Sequence, residues 1–329
     1  MSSSSPVVSV LICTCNPNEY TFDWVLDTLA QQTLPASQFE IIVVDNNSRK
    51  ALEAESLRKG RRLPLRVVRE LRQGKVFACC TAIKEARAPL LIIVDDDNGL
   101  AVNYLEEAAR IARTEPGIGA YAGITKLLSD QHIPAWKQGL ILYLGVRDFG
   151  PDPITSNQTQ WGKWEPIGAG MVFRREVGIK FIECVEGNPE ARQLSRRGKS
   201  YICGEDTLLA RAACWAGYSC SYQPSLWLSH FIKGSRLNAR ELAHTIQGCA
   251  QAWVINERLC GRPPADISWV AVFRELWARL RYRISRKGFR HGTLEWFWDV
   301  GQFKQTKASA RMARIAGANQ RHKAVQGDA

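Results

Sequence analysis

Leu90-Leu91-Ile92-Ile93-Val94-Asp95-Asp96-Asp97 decides how this sequence reads. The five apolar residues form a short continuous run of the kind that becomes a strand buried on both faces. The run ends in three carboxylates. Buried strands exclude charge clusters, and adjacent anions repel unless a cation lies among them. A hard divalent ion, Mg2+ or Mn2+, takes oxygen ligands and shares them with substrate phosphates. In open α/β sheets, ligands bind beyond the carboxyl ends of the strands, so the position suits that chemistry. The plainer alternative is a solvated acidic turn, and the surrounding sequence decides between the two.

Upstream, Val7-Val8-Ser9-Val10-Leu11-Ile12-Cys13 is a second strand-like run. It stops at the polar turn Thr14-Cys15-Asn16-Pro17-Asn18, where proline breaks the pattern. Phe22, Val25, Leu26 and Leu29 follow at helical spacing. Phe39-Glu40-Ile41-Ile42-Val43-Val44 is a further buried strand, ending at Asp45-Asn46-Asn47-Ser48. Leu65-Arg66-Val67-Val68 reads as a short strand, and 78–86 as the helix before the aspartates. Strands alternating with helices predict a parallel, doubly wound sheet. Such a sheet gathers Thr14, Asp45 and Asp95, Asp96 and Asp97 along one edge.

This order of parts resembles the family 2 glycosyltransferases with the GT-A fold. They open on a strand, Thr-x-Asn, a helix and a strand ending in Val-Asp, and later carry a strand ending in an Asp-x-Asp-type cluster. Here those parts are 8–16, 41–45 and 91–97, and Gln73-Gly74-Lys75 with 82–88 resembles the family's approach to the metal strand. The resemblance covers about residues 6–235 and rests on order and spacing together. It implies an α/β GT-A fold, a Rossmann-like, mainly parallel sheet flanked by helices. It also implies a nucleoside diphosphate sugar donor, with a UDP-sugar expected. Thr14, Asn16 and Asp45 then lie towards the base, with Gly74, Lys75, Asp95 and Asp96 on the rest of the donor and Asp97 on the metal.

The family's catalytic base is the Asp of a Glu-Asp pair, which carries over to Asp206 in Cys203-Gly204-Glu205-Asp206. The ordinary alternative is a helix N-cap, since a helical run with Leu208, Leu209, Ala212 and Ala213 follows. The roles are compatible, because a helix N-terminus favours a carboxylate anion and a base must be ionised. Glu205 is expected to orient the acceptor or a neighbouring loop. The segment 164–175 resembles the family's small-residue lining of the acceptor side, with Trp164, Gly168, Ala169 and Gly170; small residues permit close approach of backbone to ligand. Arg174 and Arg175 face either a diphosphate or solvent, the latter being expected. Trp161 and Trp164 offer flat faces to a sugar or to the core. His230 follows the strand-like Ser225-Leu226-Trp227-Leu228-Ser229. In relatives a His near here completes the metal site, and imidazole suits Mn2+; the alternative is a structural histidine.

With 329 residues there is room for one large domain and an extension. The expected division is a disordered start at 1–5, a glycosyltransferase domain at 6–240 and a helical basic extension at 241–329. Ten cysteines do not form a disulfide framework here. Cys79 and Cys80 are adjacent, Cys13 and Cys15 flank a strand end, and no Cys-x-x-Cys pair occurs. A reducing cytoplasm is therefore expected, with no targeting segment. No run of about 20 apolar residues predicts a membrane span.

The net charge of +12 is uneven: residues 268–329 hold 13 Lys and Arg against Glu275, Glu295, Asp299 and Asp328. Trp269, Phe273, Leu276, Leu280 and Ile284 share one helical face, with Val270 and Trp277 beside it and Arg274 and Arg281 towards the other. A basic amphipathic helix with aromatic residues reads as a contact with an anionic membrane surface. Docking on the catalytic domain or on a second subunit is the alternative. Leu294-Glu295-Trp296-Phe297-Trp298 adds a second aromatic cluster.

Charge and tryptophans also raise nucleic-acid binding, but no recognition motif accompanies them and the aspartates stay unexplained. No nucleic-acid partner is expected. A sugar-nucleotide pyrophosphorylase needs a Gly-rich, Arg-containing loop after the first strand, which Thr14-Cys15-Asn16-Pro17 is not. A Rossmann dehydrogenase lacks its G-x-G-x-x-G. The Gln-x-x-Arg-Trp motif and membrane helices of processive synthases are also missing. The reading is therefore a metal-dependent inverting enzyme that adds one sugar to a hydroxyl of a glycan or lipid-linked acceptor. A polysaccharide pathway is its expected setting.

Overall fold

The computed structural model describes residues 5–132, 141–198 and 200–263, with Val270, Phe273 and Trp277. Four strands build its first half: β1 (Val8–Thr14), β2 (Phe39–Asp45), β3 (Leu65–Arg69) and β4 (Leu90–Ile93). Every residue of β1, β2 and β4 is buried. The cause is two-sided covering. Side chains alternate across a strand, so Val10, Ile12, Ile41, Val43, Leu90 and Ile92 enter one core, and Leu11, Ile42, Val44, Leu91 and Ile93 enter the other. Helix α1 (Glu19–Ala30) covers the first face with Phe22, Val25, Leu26 and Leu29. A short helix, α2 (Ala54–Arg58), precedes β3. Helix α3 (Lys75–Glu85) covers the second face with Val76, Cys79 and Ile83. The parallel register puts Thr14 opposite Asp45 and Leu11 opposite Ile93. Thr14, Asp45 and the aspartates after β4 therefore come out at the same sheet edge.

The second half contributes β5 (Asn98–Leu100), α4 (Tyr104–Thr114), β6 (Ile118–Leu128), β7 (Ile154–Ser156), β8 (Val172–Arg174), α5 (Arg175–Gly187), α6 (Glu205–Trp215), β9 (Ser219–Phe231) and α7 (Ala239–Leu259). Among the described residues the nine strands form one sheet, ordered β3-β2-β1-β4-β8-β6-β9-β5, with β7 also on β9. The strands from β3 to β4 are parallel as expected. Beyond them β8 lies antiparallel between β4 and β6, β6 runs parallel to β9, and β5 pairs antiparallel with the end of β9. That last pairing sets Asn98 opposite His230, which brings the histidine beside the aspartates. The register of β6 on β9 shifts between Ala122 and Ile124. Gly123 sits at the shift, where a Cβ would lie 1.9 Å from the Leu226 carbonyl oxygen, so only glycine permits that approach.

Arg174 and Arg175 face neither solvent alone nor the aspartates. Arg174 donates to carbonyls of Ala112, Glu115 and Ile118, and Arg175 to those of Ala86 and Ala88. They tie chain ends at the opposite side of the sheet, a use suited to the five-donor guanidinium. Helix α7, at the head of the segment read as an extension, packs Ala252 and Ile255 into the second core. Among the described residues no helix is long and apolar enough to cross a membrane. The disordered start falls almost entirely, and the basic amphipathic segment mostly, outside the described residues. Val270, Phe273 and Trp277 are helical and 76%, 64% and 69% exposed.

Candidate active site

The sheet edge assembles the site from four loops. Thr14, the last residue of β1, donates its hydroxyl to Asp96. The Lys75 ammonium, in the first turn of α3, lies 2.5 Å from Asp95 Oδ1 and 3.7 Å from Glu205 Oε1. Burial disfavours that charge, but Asp95 and Glu205 more than compensate, and the Lys75 pKa stands well above its ordinary value. Asp97 Oδ2 lies 3.4 Å from His230 Nε2 and 3.5 Å from Arg236 Nη1, and its other oxygen accepts from Asn98 Nδ2 at 3.0 Å. Burial opposes the Asp97 anion, yet His230 and Arg236 hold its pKa below the usual value. Asp96 is pushed the other way, up to about 6, first by burial and then by the charges of Asp97 and Asp95.

On the facing wall, α6 begins at Glu205 after Gly204, whose φ of 100° lies in the left-handed region. Gly204 is the N-cap, so Asp206 stands inside the first turn and does not fill the capping role that the sequence also allowed. Asp206 Oδ2 accepts from the Gly168 backbone N–H at 3.0 Å, and Oδ1 from that of Thr207 at 2.9 Å. Glu205 is buried, its Oε2 has no hydrogen-bond partner, and burial raises its pKa to about 7. Lys75 therefore spans the two walls, with the aspartate edge on one side and the start of α6 on the other.

Asp97 and His230 have the chemistry of a divalent-ion site. Adjacent ligands at about 2.1 Å from an octahedral ion lie about 3 Å apart, close to the 3.4 Å between Asp97 Oδ2 and His230 Nε2. Among the described residues no three His, Cys, Asp or Glu side chains form a metal-binding group. The residues thus fit an ion that receives a minority of its ligands from protein and the rest from phosphate oxygens and water.

The remaining expected residues fall into two groups. Gly168 and Glu205 join the cleft, as above. Gly74 is the N-cap of α3 and donates its N–H to Asn46 Oδ1 at 2.7 Å. Asp45 is buried beneath its own loop, accepting from the backbone of Ser48 at 2.8 Å and Leu52 at 3.3 Å. Asn16 stitches the loop after β1 to the loop after β2, through Ser48 Oγ at 2.8 Å and the Arg49 N–H at 3.0 Å. Ala169 belongs to the first core, and the Gly170 carbonyl accepts from the Tyr104 hydroxyl at 2.7 Å. Trp164 packs on the second core, whereas Trp161 is 59% exposed.

Arg236 was not visible as a site residue in the sequence. It lies in the short turn Gly234–Leu237, six residues after His230, and a lone arginine in a polar turn carries no pattern. Burial and the like charge of Arg196 lower its pKa while the three aspartates raise it. One guanidinium, that of Arg236, thus stands beside the aspartate edge, a group suited to pairing with anionic oxygens.

The glycosyl transferase family 2 model matches residues 9–180. Among solved structures, the mannosyltransferase PcManGT from Pyrobaculum calidifontis, in complex with GDP-Man and Mn2+, is 18% identical with a TM-score of 0.52, covering 97% of this chain and 81% of that one. GalNAc-T7 with UDP, GalNAc and Mn2+ is 17% identical with a TM-score of 0.50, covering 88% of this chain and 59% of that one. No curated protein matches the sequence. These likenesses show the fold, and the family match spans the sheet edge that carries Thr14, Asp45, Lys75 and the three aspartates. The chain belongs to glycosyl transferase family 2 and is a glycosyltransferase of GT-A fold.

Proposed function

We propose that this enzyme moves one sugar, with inversion, from a nucleoside diphosphate sugar to a hydroxyl of a glycan or lipid-linked acceptor. A UDP-sugar is the first donor to test. The observation that carries this reading is the Lys75 bridge, 2.5 Å to Asp95 and 3.7 Å to Glu205. It joins the aspartate edge to a helix start bearing Glu205 and Asp206.

The roles follow from the chemistry of each group. Thr14, Asn16 and Asp45 flank the nucleotide end, with Gly74, Lys75, Asp95 and Asp96 along the ribose and diphosphate. Asp97 and His230 hold Mn2+ or Mg2+; the solved neighbours named above carry Mn2+, which favours manganese as the first ion to test. When bound, such an ion supplies Lewis-acid neutralisation of the leaving diphosphate. Arg236 adds fixed positive charge on the same side. Asp206 accepts the proton of the acceptor hydroxyl as its oxygen attacks the anomeric carbon. The bond to the diphosphate breaks, and the diphosphate leaves with the electron pair. One displacement inverts the centre, so no enzyme nucleophile is needed. Trp164, Gly168, Ala169, Gly170 and Glu205 form the acceptor side.

The catalytic domain is taken as 6–240. Of the basic extension, 241–329, the segment 269–290 is proposed to rest on an anionic membrane surface on the cytoplasmic side, or else to join two subunits. A thermal-shift screen of nucleotide sugars with Mn2+, followed by nucleotide-release assays, tests the reading, because a ligand bound to the native state raises apparent stability. One nucleotide sugar should raise Tm and be turned over. A chain stabilised by none, and turning over none, overturns it.

A further inference from the structure

Asp206 is one half of a reciprocal clasp. The Gly168 N–H donates to Asp206 Oδ2 at 3.0 Å, and one residue along, the Thr207 hydroxyl donates back to Glu165 Oε1 at 3.2 Å. Two short segments, 165–168 and 206–207, are thus pinned to each other at both ends. Glu165 itself is 6% exposed and lies behind the cleft wall. Burial pushes its pKa up to about 8, against the attraction of Arg211. Arg211, fully buried on α6, has Nε 3.8 Å from Glu165 Oε2 and Nη2 2.8 Å from Glu257 of α7. Arg147 donates Nη1 to the Glu165 carbonyl at 2.6 Å. Glu165 also offsets the buried Arg211 charge, which keeps Glu257 as its nearer partner at 2.8 Å and would be left less well compensated if Glu165 alone were removed. An apolar residue at 165 would fill the space but leave the Thr207 hydroxyl without its acceptor and the clasp open at one end.

We propose that Glu165 is a positioning residue for sugar transfer: through Thr207 it fixes the first turn of α6 and keeps the Asp206 carboxylate aligned on the acceptor hydroxyl. This rests on the reading of Asp206 as the base. Small displacements matter at that point, because an error of about 1 Å in a reacting group can cost about 10²-fold in rate.

The test is steady-state transfer by purified full-length variants, with the donor identified by the screen above. Glu165→Ala should lower kcat by roughly 10- to 100-fold with the donor KM unchanged. Glu165→Gln should restore most of the rate, because its amide oxygen still accepts from Thr207. Thr207→Val removes the other partner alone, should lower kcat in the same way, and carries the test if Glu165→Ala does not fold. Normal kcat in either folded variant overturns the proposal. So does a Gln variant as impaired as the Ala variant, or a donor KM that rises in step with the loss. Asp206→Asn is measured in parallel. If it transfers normally, the assignment of the base fails; if it is inactive while the Glu165 and Thr207 variants are normal, only the role of Glu165 fails.

Discussion

Lys75 Nζ lies 2.5 Å from Asp95 Oδ1, an ion pair mostly shielded from solvent. The same ammonium faces Glu205 at 3.7 Å, so one cation serves both walls. Removing one member of a buried charge group strands the others without compensation. Lys75→Met should therefore weaken donor binding by about tenfold or more, the scale of roughly 1.4 kcal/mol. Calorimetric titration of the donor with Mn2+ checks this. An unchanged Kd would show that Asp95 and Glu205 are organised without Lys75.

The metal reading makes a second prediction. Asp97→Ala removes the anion that faces both His230 and Arg236, leaving His230 as the remaining ligand with the Arg236 cation beside it. Mn2+-dependent turnover should fall steeply, with saturation moved to higher Mn2+. His230→Ala should move it in the same direction by a smaller amount. Full turnover by wild-type protein in excess EDTA, with metal-free protein confirmed, contradicts the assignment.

Glu70 gives a prediction about stability and pH. Its carboxylate accepts from the backbone N–H, Nε and Nη2 of Arg72 and from Thr81 Oγ1, closing the turn between β3 and α3. Arg72 is the largest cause of a pKa lowered from 4.5 to about 2. A folded-state pKa below the unfolded one stabilises at pH above the unfolded value, and that stability is lost as pH falls through the folded value. The shift corresponds to at most about 3 kcal/mol. Because Arg72 is 62% exposed, screening leaves roughly 1 to 2 kcal/mol. Glu70→Gln should lose that much in urea unfolding at pH 7, and the gap from wild type should narrow between pH 4.5 and about 2. A gap independent of pH would mean that Glu70 acts by packing alone.

The basic segment from 268 onward makes a prediction for the whole chain. Each Lys or Arg at an anionic surface contributes about 1 kcal/mol, and screening shortens to about 3 Å at 1 M salt. Replacing Arg274, Arg279, Arg281 and Arg283 with Gln should release the protein from anionic liposomes and leave activity on a short soluble acceptor intact. Wild-type protein that ignores such liposomes at low salt points to a docking or dimerisation segment.

The parallel half of the sheet was legible in the sequence because each of its central strands is a mainly apolar run, broken only by Ser9 in β1 and Glu40 in β2, that ends at a polar turn. Leu90 to Val94 and Val8 to Thr14 have no competing reading at that length. Helix α6 was legible by its small and apolar spacing after Glu205. The antiparallel additions were not. β8 has three residues, Val172 to Arg174, and β5 is Asn98-Gly99-Leu100, too short for any period. β9 shows only its middle, 225–229, because Gln223 and Pro224 interrupt the pattern of a strand that runs from Ser219 to Phe231. Glu165, Arg147 and Arg211 were missed for a related reason. Each is a charged residue made buried by partners distant in sequence, and local composition marks them only as surface residues.

Asp206→Asn tests the central claim most directly. The substitution is nearly isosteric and can keep the hydrogen bond from Gly168, so the protein should fold and bind nucleotide sugar with Mn2+ as wild type does. Sugar transfer to acceptor should fall by roughly 10²-fold or more, the usual scale for a positioned general base. Side-by-side measurement of donor Kd and acceptor-dependent kcat on the two proteins decides the matter. An unchanged Kd with kcat lost is the result predicted here; transfer at the wild-type rate would contradict the account.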